Sequence, residues 1–542
     1  MTDIIANAYL TLPGDDAVSH VTDLTVVATS GGTYLASTTR YDGVLRLWDI
    51  NGGPLSLTDE VAFTGPIQAG GAAGAAVLSI SGASAVITGG AAGGALQIRG
   101  IGSDGSFGAA SILSGLPSGF AAFQHASTLT LPDSRQVIYG ALANQPGIAT
   151  LELAASGAVL RHGITTGSAQ HPATQISATA ITQVGGQNVL LSISSTANTL
   201  TSRQIDSDGN LGGALTLSPD DGLWISAPTA LATASMSGRS YAVIGAAGSD
   251  SLTVVEVGTD GSLTIRDHIF DAREMRFGGV ISLDVITIGA MTYVVAGGAD
   301  DGLSLFVLLD GGMLIPRAHI EDTDDIGLHN ISAVALHTDG TDLNIYATSS
   351  AEVGLTHLQY DTGTAGLSLA ASPAGGMLIG TIGADVLQGG DSADTINGGA
   401  GADIIVDGAG TDVLTGGGGA DYFVFVPDGT MDRITDFEVG VDRIDLSLWP
   451  MLRDISQLTI SLRPDGMQIS YGPETLIVQS SDGATIDYRT LATTDLIAAS
   501  RLSQNLQPGF AGPLTPVPDP NNPQEEPEPP EPGPYDPLNP LA

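Results

Sequence analysis

Five aspartates recur at a strict nine-residue interval: Asp385, Asp394, Asp403, Asp412 and Asp421. Each stands sixth in a glycine-rich unit: GTIGADVLQ (380–388), GGDSADTIN (389–397), GGAGADIIV (398–406), DGAGTDVLT (407–415) and GGGGADYFV (416–424). An apolar residue follows each aspartate by two places: Leu387, Ile396, Ile405, Leu414 and Phe423. Carboxylates and free carbonyls suit Ca²⁺, a hard ion that takes about 6–8 oxygens in a flexible shell. The pattern is the G-G-x-G-x-D-x-U-x nonapeptide, which builds a calcium-binding parallel β-roll. Each unit is a six-residue turn and a short strand, and two units of nine make one coil of eighteen residues. Turns two units apart therefore stack on one edge. The spacing pairs Asp385 with Asp403, Asp403 with Asp421, and Asp394 with Asp412, which predicts about three interturn ions. Gly389, Gly390, Gly398, Gly399, Gly401, Gly408, Gly410, Gly416, Gly417 and Gly419 shape the turns that offer carbonyls, because glycine accepts φ > 0. A flexible Gly/Asp linker would not keep an aspartate and an apolar residue in register through five units. Without metal the stacked carboxylates repel, so binding is expected to be coupled to folding. Asp403 serves two pairs, so its replacement is expected to cost most.

These units resemble the RTX (haemolysin-type) calcium-binding repeats of bacterial secreted proteins. The segment DRITDFEVGVDRIDLS (432–447) is similar to the one that closes such rolls. The stretch after it reads as three strands with turns at Pro464-Asp465-Gly466, Gly472-Pro473 and Asp482-Gly483, similar to the family's capping region. The chain departs from the repeat at Ile382, at Ser392 and at Asp407, which replaces a first glycine. The resemblance implies an extracellular protein, exported by a one-step type I machinery through an uncleaved C-terminal signal and folded outside. Sites tuned to about 10⁻⁴–10⁻³ M stay empty in cytosol and fill outside.

Upstream, a longer period carries the elements. The apolar strands YLAST (34–38), AVITG (85–89), QVIYG (136–140), VLLSI (189–193), YAVIG (241–245), YVVAG (293–297) and NIYAT (344–348) end 51, 51, 53, 52, 52 and 51 residues apart. Further strands flank each, giving four per unit. Four strands in a period of this length make a propeller blade, and ring closure removes sheet edges. The chain is therefore read as all-β: a seven-bladed β-propeller at 15–372, the β-roll at 380–425, a β-rich cap at 426–503, and a disordered acidic Pro-rich tail at 504–542. ANAYLTL (6–12) is a candidate outer strand for the last blade. Residues 241–267 resemble blades of lactonase-like propellers, a likeness of strand pattern and turn residues that maps no catalytic residue.

Composition narrows the partners. There are 17 basic residues, all arginine, against 58 acidic ones, for a net charge of −41. Such a field repels nucleic acid and anionic membrane surfaces and attracts divalent cations. Cysteine is absent, which excludes disulfides and thiolate metal sites. No secretory leader is visible, and no apolar run approaches the ~18 residues of a membrane span. The chain holds no H-E-x-x-H, no G-x-S-x-G and no lysine. Zinc protease, nucleophile-elbow, Walker-type and Schiff-base chemistries are thereby excluded.

His20, His125, His171 and His329 fall just before innermost blade strands, where a channel-mouth site would sit. Their offsets scatter, and polar loop residues are the plainer reading. Trp48 and Trp224 read as blade core or a loop anchor. Three functions remain open: a secreted calcium-binding protein whose propeller binds an unknown protein, glycan or small-molecule ligand; an extracellular lactonase-like hydrolase; or a structural surface or matrix component. The small Ala, Gly, Ser and Thr residues of the repeats favour binding, and catalytic residues stay unassigned.

Overall fold

The computed structural model describes residues 4–10, 21–39, 43–52, 54–62, 75–88, 95–117, 120, 123–142, 145–166, 175–272, 275–323, 325–340 and 342–501. His20, His171 and the expected tail at 504–542 lie outside them. Seven antiparallel sheets follow one another, each opening on an inner strand: Val21–Ala28, Ala75–Ile80, Phe123–Thr130, Ile176–Val184, Pro228–Met236, Ser282–Ile288 and Ile331–Thr338. Each inner strand packs on the next, and the last returns to the first, so the ring closes. All seven apolar anchors fall on second strands, which neighbours cover on both faces, as in Arg239–Ala246. Outer strands such as Ser56–Ala62 alternate instead between exposed and half-buried residues, the period-2 signature of a strand with one wet face. The seventh blade has three strands of its own, and Ile5–Leu10 adds the fourth, pairing antiparallel with Leu355–Asp361. That pairing ties the start of the described chain to the last blade. Among the described residues no helix is long and apolar enough to cross a membrane.

The roll follows as two parallel sheets. One runs Ala365–Ala370, Ala384–Gln388, Ile404–Val406, Tyr422–Val424 and Arg443–Asp445. Its first strand lies upstream of 380, inside the span read as propeller. The other runs Met377–Ile379, Thr395–Ala400, Val413–Gly418 and Met431–Phe437, and continues into the cap strands Glu474–Ser480, Gly466–Tyr471 and Thr459–Arg463. Within the repeats partners lie eighteen residues apart, with Leu387 opposite Ile405 and Ile405 opposite Phe423. Leu387, Ile396, Ile405, Leu414 and Phe423 are wholly buried between the sheets.

The first sheet is buried on its outer face as well. Ile404, Val406, Tyr422 and Val424 pack with Leu305, Val307 and Ile315 of blade 6 in one hydrophobic cluster. Propeller and roll thus share a core. The last described strand, Ser500–Arg501, adds a fifth strand to blade 5, beside Leu263–Phe270. Arg501 is buried there and ion-paired with the equally buried Asp267 of that blade. It also donates to Ser447 Oγ at 2.9 Å and lies 3.8 Å from Asp445, both in the segment that closes the roll.

Candidate metal centre

The turns of the roll stack as their spacing requires. Asp385 N–H donates to Asp403 Oδ1 at 2.8 Å, Asp394 N–H to Asp412 Oδ1 at 2.6 Å, and Asp403 N–H to Asp421 Oδ1 at 3.0 Å. Asp403, Asp412 and Asp421 therefore each spend one oxygen on fixing the coil before it. The same contact continues beyond the repeats. Asp412 N–H reaches Asp432 Oδ1 and Asp421 N–H reaches Asp442 Oδ1, both at 3.0 Å. Sequence reasoning assigned no ligand role to Asp432 and Asp442. Their offsets of 20 and 21 residues break the nine-residue count, although both stand in the closing segment and both are aspartates.

The remaining oxygens carry the chemistry. Asp394 Oδ1, Asp403 Oδ2, Asp412 Oδ2 and Asp421 Oδ2 are buried with no hydrogen-bond partner. A buried carboxylate oxygen left so is costly unless a cation meets it. Asp385 differs: Leu367 N–H and Thr381 N–H already satisfy its two oxygens. Burial foremost, then neighbouring carboxylates, pushes Asp403 up to about 7 and Asp412 up to about 6. Burial likewise raises Asp421 to about 6, and Asp432 and Asp442 to about 7. Hard oxygen donors, negative charge and buried unpaired oxygens fit a Ca²⁺ ion.

Close approach, not only conformation, requires the glycines. Gly399, Gly401, Gly408, Gly410, Gly417 and Gly419 take left-handed φ. Gly398 and Gly416 do not, yet a Cβ on either would stand 2.2 or 2.3 Å from the Asp403 or Asp421 Oδ2 of its own turn. Gly389 and Gly390 are hemmed in the same way, by the Asp407 and Ser372 carbonyls. Of the departures from the repeat, Ile382 is 80 % exposed and Ser392 donates to the Pro373 carbonyl. Asp407 is fully buried, and Asp407, Asp412 and Asp432 each bring an oxygen within 4.8 Å of the others. Among the described residues no other group of three His, Asp or Glu side chains closes so tightly.

Among the described residues the propeller gathers no comparable set. His125 lies within the inner strand of blade 3. His329 precedes that of blade 7, where its Nδ1 is 3.0 Å from Asp301. The small hydroxyl residues of the inner strands stitch blades together: Ser127 to Thr179 at 2.9 Å, Ser177 to the Pro228 carbonyl at 2.6 Å, and Ser282 to Val334 N–H at 3.0 Å. Asp284 does the same for blades 6 and 7 by accepting from Leu336 N–H at 2.9 Å. Trp48 is blade core, with Nε1 on Ser37 Oγ at 2.9 Å, whereas Trp224 is 57 % exposed.

Residues 377–405 and 398–425 match the RTX calcium-binding nonapeptide repeat. This stretch of the chain is a set of calcium-binding repeats. No curated protein matches the chain. Solved structures resemble the chain at low identity. A functionally unknown protein from Desulfotomaculum acetoxidans is 13 % identical, covering 62 % of this chain and 95 % of that one, with a TM-score of 0.40. A protein from Lactobacillus plantarum is 18 % identical, covering 58 % and 86 %, with a TM-score of 0.41. The periplasmic gluconolactonase of Pseudomonas aeruginosa is 12 % identical, covering 57 % and 87 %, with a TM-score of 0.40. Likeness at this level carries no argument about activity.

Proposed function

We propose that this is a secreted bacterial protein that folds on calcium outside the cell and presents its propeller as a binding module. Asp385, Asp394, Asp403, Asp412 and Asp421 supply side-chain ligands, and the turn glycines supply carbonyls. Asp432 and Asp442 extend both stacks, so three expected interturn positions become five. The observation that carries the reading is the set of buried carboxylate oxygens without partners, repeated coil after coil. Type I export in an unfolded state accounts for weak calcium sites, an acidic surface and the lack of cysteine together. The small Ala, Gly, Ser and Thr residues of the repeats support a binding role over catalysis.

The test is calorimetric titration of the chelated, full-length protein with Ca²⁺, followed by circular dichroism. Uptake of three to five ions near millimolar concentration, with gain of β-structure, is the expected result. Fewer than three ions, or uptake with no change in structure, would sink the stacked-site reading.

A further inference from the structure

A cavity of ≈ 360 Å³ lies between blade 6 and the roll with its cap. Blade 6 contributes the strand Leu314–Glu321, and the facing wall is built by Tyr422, Arg443, Leu452 and residues 493–500. The volume falls in the range of small-molecule sites, roughly 300–1,000 Å³. Its charge runs against the rest of the molecule. Acids outnumber bases 58 to 17 in the chain, yet among the described residues no acid lines this space, and Arg317, Arg453 and Arg443, the last paired with Asp495, do.

Arg317 is the decisive residue. It is the extra residue of a β-bulge: Leu305 pairs with Ala318 while Phe306 pairs with Pro316. A bulge re-aims the side chain it releases. In blade 5 the same bulge position holds Arg266, between the pairs Val254–Asp267 and Val255–Ile265. Arg266 is neutralised by Glu256 at 2.6 Å, on the adjacent strand of its own blade. The residue of blade 6 that corresponds to Glu256 is Val307, opposite Ile315. Arg317 is only 7 % exposed, and it makes no hydrogen bond or ion pair with any described residue. A mostly buried cation without a partner beside a cavity suits an anion, since an unpaired buried charge is costly. The other lining is apolar, with Met275, Phe306, Leu452 and Ile497 all buried.

We infer that this cavity binds a small organic anion, a carboxylate on an apolar body, held by Arg317. The site goes beyond the calcium-folded binding module proposed above and stands whether or not the protein is exported. The positive charge of Arg317 also acts on Asp403 and Asp421 in the roll. Calcium neutralises those carboxylates and leaves Arg317 free for the ligand.

Octanoate is the probe, titrated calorimetrically into the calcium-loaded, full-length protein. Octanol carries the body without the charge, and acetate the charge without the body. Saturable octanoate binding is expected, with octanol and acetate each weaker by about tenfold or more. Arg317→Met should lose a similar factor, and Arg317→Lys should retain most of the binding. Circular dichroism and the calcium isotherm check that each variant is folded. Equal binding of octanol and octanoate, or unchanged octanoate binding by a folded Arg317→Met protein, overturns the assignment. So does absent octanoate binding together with strengthened calcium uptake in Arg317→Met, which would make Arg317 a counter-charge to the roll that calcium displaces. The octanol comparison needs no variant and stands even if both substitutions unfold the protein.

Discussion

Asp407 stands where the repeat has its first glycine, and the exchange puts a third carboxylate beside Asp412 and Asp432. Its Oδ1 accepts from Gly408 N–H at 2.7 Å and Val426 N–H at 2.9 Å, so the side chain is fixed in place. Like charges gathered in a buried turn oppose folding until a cation arrives. Asp407→Gly should therefore melt higher than the native protein in chelator and lower in millimolar calcium, as followed by circular dichroism. A shift of the same sign in both conditions would mean that Asp407 is only structural. Protonation tests the whole set. Burial raises Asp403, Asp432 and Asp442 to about 7 in the folded, metal-free roll, above the ordinary carboxylate value of 3.8. Folded groups that hold protons more tightly than unfolded ones stabilise the apo roll at low pH. That stabilisation is lost as pH rises from the ordinary value through about 7. Calcium needs the charged form, so its affinity should rise across that window and its uptake should release protons. Calcium isotherms that do not change between about pH 5 and 8 would contradict the raised values.

At the scale of elements, the two sheets of the roll differ in what their strands carry beside the core residue. DIIV and DYFV place apolar side chains on both faces, whereas DTIN and DVLT keep a polar residue outward. DIIV and DYFV lie in the sheet docked on blade 6, together with DVLQ (385–388), whose pattern is that of DVLT; DTIN and DVLT lie in the open sheet. DIIV and DYFV differ from DTIN in the sequence, but DVLQ and DVLT, one in each sheet, share a pattern, so the repeat alone does not mark the docked face. Ile404→Ala should cost about 2–5 kcal/mol, because it opens a cavity in the shared core. Thr395→Ala, on the exposed face of the open sheet, should move stability by no more than about 0.5 kcal/mol. Equal losses, measured by denaturant unfolding in calcium, would mean that the docked face is not part of the cooperative core. The bulge at Arg317 shows why other features stayed illegible. One inserted residue shifts the alternation of the strand, and periodicity cannot say which side chain it frees.

Over the whole molecule, the shared core and Arg501 decide how calcium acts. Binding to the folded state alone stabilises whatever folds with it, by about 2.7 kcal/mol per site at a hundredfold excess over Kd. Calcium should thus raise the melting temperature of the propeller as well as that of the roll, in one transition seen by calorimetry. Two transitions, with the propeller's unmoved by chelator, would show that the shared core does not couple them. Arg501 closes the assembly, since it meets Asp267 of blade 5 and lies near Asp445 of the roll. Arg501→Met should be destabilising by about 3–5 kcal/mol, because it leaves Asp267 buried without its cation. The blade count, the strand that completes blade 7, the eighteen-residue stacking of the aspartates and the apolar core of the roll were all written in the sequence. They depend on periods of nine and about fifty residues, and period is a property of the chain alone. Asp432 and Asp442 as further turns of the stack, the docking of one sheet on blade 6, the reach of Arg501 and the unpaired Arg317 depended on the tertiary structure. Each joins residues from elements that no repeat relates, and only three-dimensional packing determines which side chains meet and which are left without a partner.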